Sequence, residues 1–369
     1  MIMMLVVLSL VVQDPVPPAD AGQAANVAGT RQATAAKQVE VAPPVGDDDG
    51  AENRPMDGET TPAWRASVDR GLRALAGLQN DDGSFGRGRF GRHSGITSLC
   101  ALALMADGHL PGRGEYGDQV TKALEFVLSN VTESGLLAAE TTAGPMYGHG
   151  FSTLFLGEIY GMNQQDTRVR DTLVRAVQLI IASQNAEGGW RYNPVPNDAD
   201  VSVTICQVMA LRSARNAGIK VPRETIDAAI NYILRCQNDD GGFRYMTALG
   251  QSAWPRSAAG VASLFYAGVY EGDSITRGLS YIARNDGTTA GGPMGTPHFH
   301  YGAYYTAQTM YLAGGTWWRS WWPQARDGFL ATQERDGLWV DHQNGPAYAT
   351  AMSLIVLQMP NRYLPIFQR

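Results

Sequence analysis

The stretch Gln237-Asn238-Asp239-Asp240-Gly241-Gly242-Phe243 decides how this chain is read. Before it, Ile226–Cys236 carries apolar residues at helical spacing. Asp-Gly and Gly-Gly then force a turn, because glycine accepts positive φ without a steric penalty. After the turn comes a second helical pattern, small and apolar, over Gly260–Ala267. The Gln-x-x-x-Gly-x-aromatic pattern recurs as Gln79–Phe85 with Gly83, Gln184–Trp190 with Gly188, and Gln333–Trp339 with Gly337. From one glutamine to the next the steps are 105, 53 and 96 residues. A unit of about 50 residues follows, and each long step hides one degenerate copy. These copies are Ser129–Leu136 and Arg284–Gly292, which makes six units.

Every unit is a pair of helices. The second helix is small and apolar in each: Thr97–Met105, Thr153–Tyr160, Thr204–Leu211, Gly260–Ala267, Thr306–Ala313 and Thr350–Leu357. Six hairpins of equal length can curl and close on themselves, since repeat units bury their faces on neighbours and closure removes bare ends. The expected fold is all-α, an α6/α6 toroid over residues 62–369 with inner helices around a central cavity.

Composition fits a body preceded by a tether. The chain has 369 residues, 44% of them hydrophobic, with 29 basic and 35 acidic side chains. Residues 1–60 hold three basic and nine acidic residues, so the remainder is neutral. A neutral body argues against nucleic acid as a partner, which requires clustered Lys and Arg. Ile2–Val12 is an apolar run of eleven, too short to span a bilayer and suited to a signal-peptide core or weak anchor. No Lys or Arg precedes it. Residues 13–61 read as a disordered acidic linker rich in Pro, Ala and Gly, and export is the expectation. Cys100, Cys206 and Cys236 fit no zinc spacing, although Cys206 and Cys236 could pair in an oxidising compartment.

The four motifs resemble the QW motifs of squalene and oxidosqualene cyclases, whose toroid is shared by protein prenyltransferase β-subunits. The resemblance covers essentially all of the folded part. It implies that Gln79, Gly83, Phe85, Gln184, Gly188, Trp190, Gln237, Gly241, Phe243, Gln333, Gly337 and Trp339 hold the barrel together. It also implies an isoprenoid or lipid chain in the cavity and, at most, peripheral contact with a membrane.

Aligning the inner helices on Thr97, Thr153, Thr204 and Gly260 puts His93, His149, Asp200 and Arg256 four residues upstream. Four residues is about 40° around a helix, so each pair shares a face near the helix start. His300 and Tyr348 stand near the equivalent place in the last two units, out of register. Helix capping and inter-unit hydrogen bonding are the bland alternative for each. The run His298-Phe299-His300-Tyr301, with Tyr304 and Tyr305, is the expected cavity wall.

Three chemistries can be set against these residues. The cyclases use an Asp-x-Asp-Asp acid. Here Asp198-Ala199-Asp200-Val201 makes Asp198 and Asp200 the candidate acids, but Val201 leaves the cluster incomplete. Prenyltransferases hold zinc with Asp, Cys and His. Asp200 and Cys206 point to different sides of one helix, so a zinc site would need His149, His300 and Asp200 to converge from different units. A carbohydrate-active toroid would need opposed carboxylates, for which Glu140 and Glu158 are candidates. On the outer helix of unit six, Trp317, Trp318, Trp321 and Trp322 are expected to be buried. The leading expectation is a terpene cyclase or prenyltransferase-like protein holding an isoprenoid. The alternative is a non-enzymatic exported binding or scaffold module. A hollow ring favours the first and a ring filled by side chains favours the second.

Overall fold

A computed structural model describes residues 56–86, 90–139, 144–288 and 297–368. The apolar run Ile2–Val12 and the linker up to residue 55 lie outside these residues. Among the described residues the chain forms helices and turns, with only isolated bridges and no strand. The α-helices, in order, are α1 (Pro62–Ala76), α2 (Ser94–Met105), α3 (Gly117–Ser129), α4 (Met146–Met162), α5 (Thr167–Ala182), α6 (Val201–Asn216), α7 (Arg223–Arg235), α8 (Trp254–Ala267), α9 (Asp273–Asn285), α10 (Phe299–Ala313), α11 (Gly315–Thr332) and α12 (Pro346–Leu357). No helix among the described residues is long and apolar enough to cross a membrane.

Odd and even helices differ in composition, and that difference sorts them into layers. α5 buries Val169, Thr172, Leu173, Ala176, Val177 and Ile180, which is one stripe at helical period. α2 buries all twelve of its residues. A helix apolar all round needs neighbours on every side. The even helices find them in each other: α2 packs on α4, α4 on α6, α6 on α8, α8 on α10, α10 on α12, and α12 on α2. The inner ring is closed, and the odd helices lie outside it. Glycine lets inner helices approach closely. A Cβ added at Gly150 of α4 would stand 2.9 Å from Cys206 Cβ of α6.

In four of the six units the motif joins its hairpin to the next. Gln184 Nε2 donates to Gly188 O at 2.8 Å in its own turn and to Thr225 O of α7 at 2.9 Å. Gln79 does the same with Gly83 O and Gln119 O of α3, and Gln237 with Gly241 O and Ser274 O of α9. Gln333 donates to Gly337 O and, across the seam, to Ser67 O of α1, each at 2.9 Å. The motif therefore closes the ring as well as building it. The aromatic residue is held by its backbone. Phe85, Trp190, Phe243 and Trp339 each donate N–H to a hydroxyl on the following inner helix, namely Thr97, Thr204, Ser257 and Thr350.

Both chain ends of the body add to the closure. Packing begins before Pro62, so the linker boundary expected at 61 moves back. Glu59 is buried on α11, accepting from Trp318 Nε1 at 2.6 Å through its carboxylate and from Trp322 Nε1 at 2.7 Å through its carbonyl. Trp318 and Trp322 stack on each other, and Trp321 donates to Asp286, so these three rings seal unit six. At the far end, short 3-10 turns (Met359–Asn361 and Pro365–Phe367) bring Ile366 and Phe367 into the core against α6.

Gly188 shows what the motif glycine does. Its φ is +97°, and an added Cβ would lie 2.2 Å from Ala228 O of α7. Gly188→Ala therefore combines left-handed strain with a backbone collision. The expected cost is about 3 kcal/mol, read as a lowered urea midpoint with the helical circular dichroism of the folded baseline retained.

Candidate functional site at one end of the inner ring

α2, α6, α8 and α12 are entered from a motif turn, and the first turns of α4 and α10 meet those of α2 and α6 through Gly148 with Gly95 and Tyr301 with Ser202, so the six start at the same end of the ring. The structure revises the register expected there. The hydroxyls that receive the aromatic N–H mark equivalent positions, and in unit four that residue is Ser257 rather than Gly260. In unit two the motif has decayed to Leu137, whose N–H donates to His149 Nδ1 at 3.2 Å. His149 thus occupies the threonine position, and Thr153 does not. The residues four upstream become His93, Pro145, Asp200 and Ala253, which are the N-caps of α2, α4, α6 and α8. Of these four, His93 and Asp200 are the ionisable caps. His149 and Arg256 sit inside their helices.

His149 is a structural pin. With Nδ1 accepting from Leu137, its Nε2–H donates to Ala176 O of α5 at 3.2 Å. Burial lowers its pKa to about 4, so the ring is neutral at physiological pH. His93 caps α2, its Nδ1 accepting from Gly95 N and Ile96 N, and burial lowers it to about 4 as well. Its Nε2 is buried without a hydrogen-bond partner. Arg256 donates to Gln251 O at 3.1 Å and lies over the Tyr245 ring.

Asp198 and Asp200 are separated by environment. Asp198 is exposed and paired with Arg191. Asp200 is fully buried, and burial pushes its pKa up to about 7 against the opposing pull of Val203 N–H and Arg191. Oδ1 caps α6 by accepting from Val203 N at 2.9 Å. Oδ2 has no hydrogen-bond partner, and Arg191 Nε stands 3.7 Å away. Around it lies a phenol cluster. Tyr192 and Tyr245 share a hydrogen bond, and Val201 N donates to Tyr245 O. Burial, with the Asp200 charge second, raises the phenol of Tyr147 well above its ordinary range.

A second pair stands at the start of α10. His300 is buried, and its Nδ1 lies 3.3 Å from Asp341 Oδ2. Asp341 also accepts from Gln343 N and from the backbone and side chain of Asn344 through Oδ1. Burial alone would raise this carboxyl, but His300 and the Asn344 amide outweigh it and hold it below its usual range. A carboxylate only accepts, so His300 Nδ1 carries a hydrogen, and in the neutral imidazole Nε2 presents a lone pair. That Nε2 is buried and has no partner. Tyr348 of α12 meets the imidazole edge-on at 6.4 Å.

Deeper in, the ring is crossed by side chains. Tyr301 of α10 donates to Ser202 O of α6 at 3.2 Å, and Tyr305 OH meets Cys206 Sγ at 3.4 Å. α4 and α10 face each other across the ring, yet Phe151 and Tyr304 touch edge to face at 6.1 Å. Tyr304 also meets Phe367 of the tail. At the opposite end Glu158 accepts from Ser213 Oγ and Ile366 N, and burial raises it to about 7. It is remote from the mouth. Glu140 lies outside the described residues, as do residues 289–292 of the fifth motif. All three cysteines are free and buried. Among the described residues no three His, Cys, Asp or Glu side chains gather as a metal site.

Arg191, Tyr147, Tyr192, Tyr245 and Asp341 were not legible as site residues in the sequence. Asp341 lies forty-one residues from His300, in the turn ahead of α12, and the packing of consecutive units brings it to the start of α10.

The chain can now be set beside known proteins. No family model matches it. The fold is an α/α toroid. A type II terpene cyclase from Scytonema, solved with geranylgeranyl dihydroxybenzoate, superposes with a TM-score of 0.57 at 14% identity, covering 82% of this chain and 98% of that one. A cellobiose 2-epimerase from Bacillus thermoamylovorans superposes with a TM-score of 0.59 at 15% identity, covering 81% and 98%. At such identities the likeness is one of fold, and the fold carries several chemistries. In sequence, a drimenyl diphosphate synthase from Streptomyces showdoensis is 25% identical over 187 residues. That match spans 49% of this chain and 34% of the relative.

Two outcomes follow from this geometry. His149→Leu should cost about 2 kcal/mol, because Leu137 N–H and Ala176 O both lose a buried partner. His149→Thr, which restores the residue of other repeats, should recover about half of it, as read from urea midpoints. Asp200 ionises at an ordinary 3.8 when unfolded and at about 7 when folded. Its stabilising contribution is complete at low pH and is lost as pH rises through that interval. Asp200→Asn keeps the cap but cannot ionise. Wild-type stability relative to Asp200→Asn should therefore fall between about pH 4 and 7. The imidazoles common to both proteins cancel in the comparison.

Proposed function

We propose that the protein binds an isoprenoid or similar apolar chain within the inner ring, its polar end at the Asp200 and His300 end, without protonating an alkene. The observation that carries this reading is a set of unpaired polar atoms inside an aromatic interior. His93 Nε2, Tyr147 OH, Ser202 Oγ and His300 Nε2 are all buried at the starts of inner helices without hydrogen-bond partners. Each such atom costs about 1–3 kcal/mol. A ligand with hydrogen-bonding groups relieves that cost, whereas a scaffold core has no use for it. The terpene cyclase and drimenyl diphosphate synthase likenesses support the ligand class.

The chemistry of the acid argues for binding over cyclisation. Alkene protonation calls for a strong acid, and Asp200, titrating at about 7, is a weak one. Val201 stands where a second carboxyl would strengthen it. Export, supported by the apolar run Ile2–Val12, belongs to the same reading.

The contact of Phe151 with Tyr304 across the ring favours the second reading, a scaffold with a filled interior. Ligand entry beyond the mouth requires Tyr304 to swing aside. The two readings part in one experiment. The full chain is purified from cells making isoprenoids and examined by native and denaturing mass spectrometry, with metal analysis of the same sample. A ligand bound one to one, or uptake of added squalene or geranylgeraniol, is the expected result. A protein that emerges empty and takes up neither leaves the scaffold reading standing alone.

A further inference from the structure

The polar end of the ring has a hydrogen-bonding character that narrows the ligand further. In the neutral imidazole His300 Nε2 is an acceptor, because Asp341 holds the hydrogen on Nδ1. Tyr147 OH has a hydrogen to give, and no acceptor takes it. Asp200 Oδ2 faces Arg191 Nε at 3.7 Å, while Oδ1 is occupied by the α6 cap. These groups start three different inner helices at one end of one ring. α10 and α6 are locked at that level, since Tyr301, adjacent to His300, donates to the carbonyl of Ser202, two residues from Asp200. An alcohol or phenol has one hydrogen to donate and lone pairs to accept with. It matches an imidazole acceptor and a phenol donor that start two inner helices at the same end of the ring.

A diphosphate fits poorly at the same place. Arg191 is paired with Asp198 and stands beside Asp200. Arg256 is engaged with Gln251 O and the Tyr245 ring, and Arg92 with Asp82. The Asp341 carboxylate sits directly behind His300. A highly charged anion would meet that carboxylate in a low-dielectric site with the nearby cations already committed.

We infer that this site selects an uncharged, hydroxyl-bearing isoprenoid, with the ligand hydroxyl donating to His300 Nε2 and accepting from Tyr147 OH, and that Asp341 is the residue positioning His300. The inference rests on the isoprenoid-binding reading and adds the head group to it.

Three probes on one tail test it: geranylgeraniol, geranylgeranyl diphosphate and the hydrocarbon of the same skeleton. Binding to the full chain is measured by native mass spectrometry and by quenching of intrinsic fluorescence. Geranylgeraniol should bind about tenfold more tightly than the hydrocarbon, and the diphosphate more weakly than the alcohol. Tyr147→Phe and Asp341→Asn should each erase most of the alcohol's advantage while leaving hydrocarbon affinity unchanged, which also reports that the variants are folded. Tyr147→Phe removes a single oxygen, so it keeps the test sharp if His300→Leu fails to fold. Equal affinity for alcohol and hydrocarbon, or preference for the diphosphate, overturns the head-group assignment and leaves isoprenoid binding intact. No binding of any probe overturns both.

Discussion

A glutamine amide that donates one hydrogen to its own turn and the other to the next outer helix is the contact on which the closed ring depends. The two bonds of Gln333 carry the most consequence, because one of them reaches Ser67 on α1 and joins the last hairpin to the first. The carbonyls it reaches are backbone groups near helix starts, so the bond fixes position as well as energy. The glycine four residues later lies against the same outer helix, three residues further along, with no room for a Cβ. Amide and glycine therefore specify one spacing between neighbouring outer helices. Repeated around the chain, that spacing sets the number of units that close.

Closure has two consequences for the interior. It buries the N-termini of all inner helices around a shared axis, and it removes water from any side chain that points there. Buried ionisable groups respond in the direction that burial dictates. Asp200 rises, His93 and His149 fall, and Asp341, with four hydrogen bonds to its oxygens, is held below the usual carboxylate range against its burial. The mouth thus holds buried donors and acceptors beside the positioned Asp341 carboxylate, with Arg191 and Arg256 already engaged by protein groups. That is a different surface from the clustered cations an anionic head group would require.

Decay of the motif in unit two is compensated rather than tolerated. The aromatic is Leu137 and the hydroxyl is His149, whose longer side chain reaches both the turn and α5. The turn glycine is still there as Gly135, with φ +89°. Similarly, the seam between α11 and α1 is reinforced by Glu59, which ties stacked Trp318 and Trp322 to the segment ahead of α1. Repeat architectures concentrate irregular contacts where the repeat is weakest, because neighbours supply most of each unit's buried surface.

The six-unit repeat, the two layers and the role of the Gln, Gly and aromatic residues in holding the barrel together were legible in the sequence. Each depends on local spacing, and local spacing is what a repeat preserves. The incomplete acid at Val201 was equally plain. The site was not. Alignment on Thr153 and Gly260 misplaced two units, since a histidine or serine can serve as the hydroxyl-position acceptor and residue type does not reveal which. The pairing of His300 with Asp341, the burial of Asp200 beside exposed Asp198, and the meeting of Phe151 with Tyr304 were decided only by the tertiary structure. The first and last join residues from different units, and all three depend on packing between helices rather than on position along the chain.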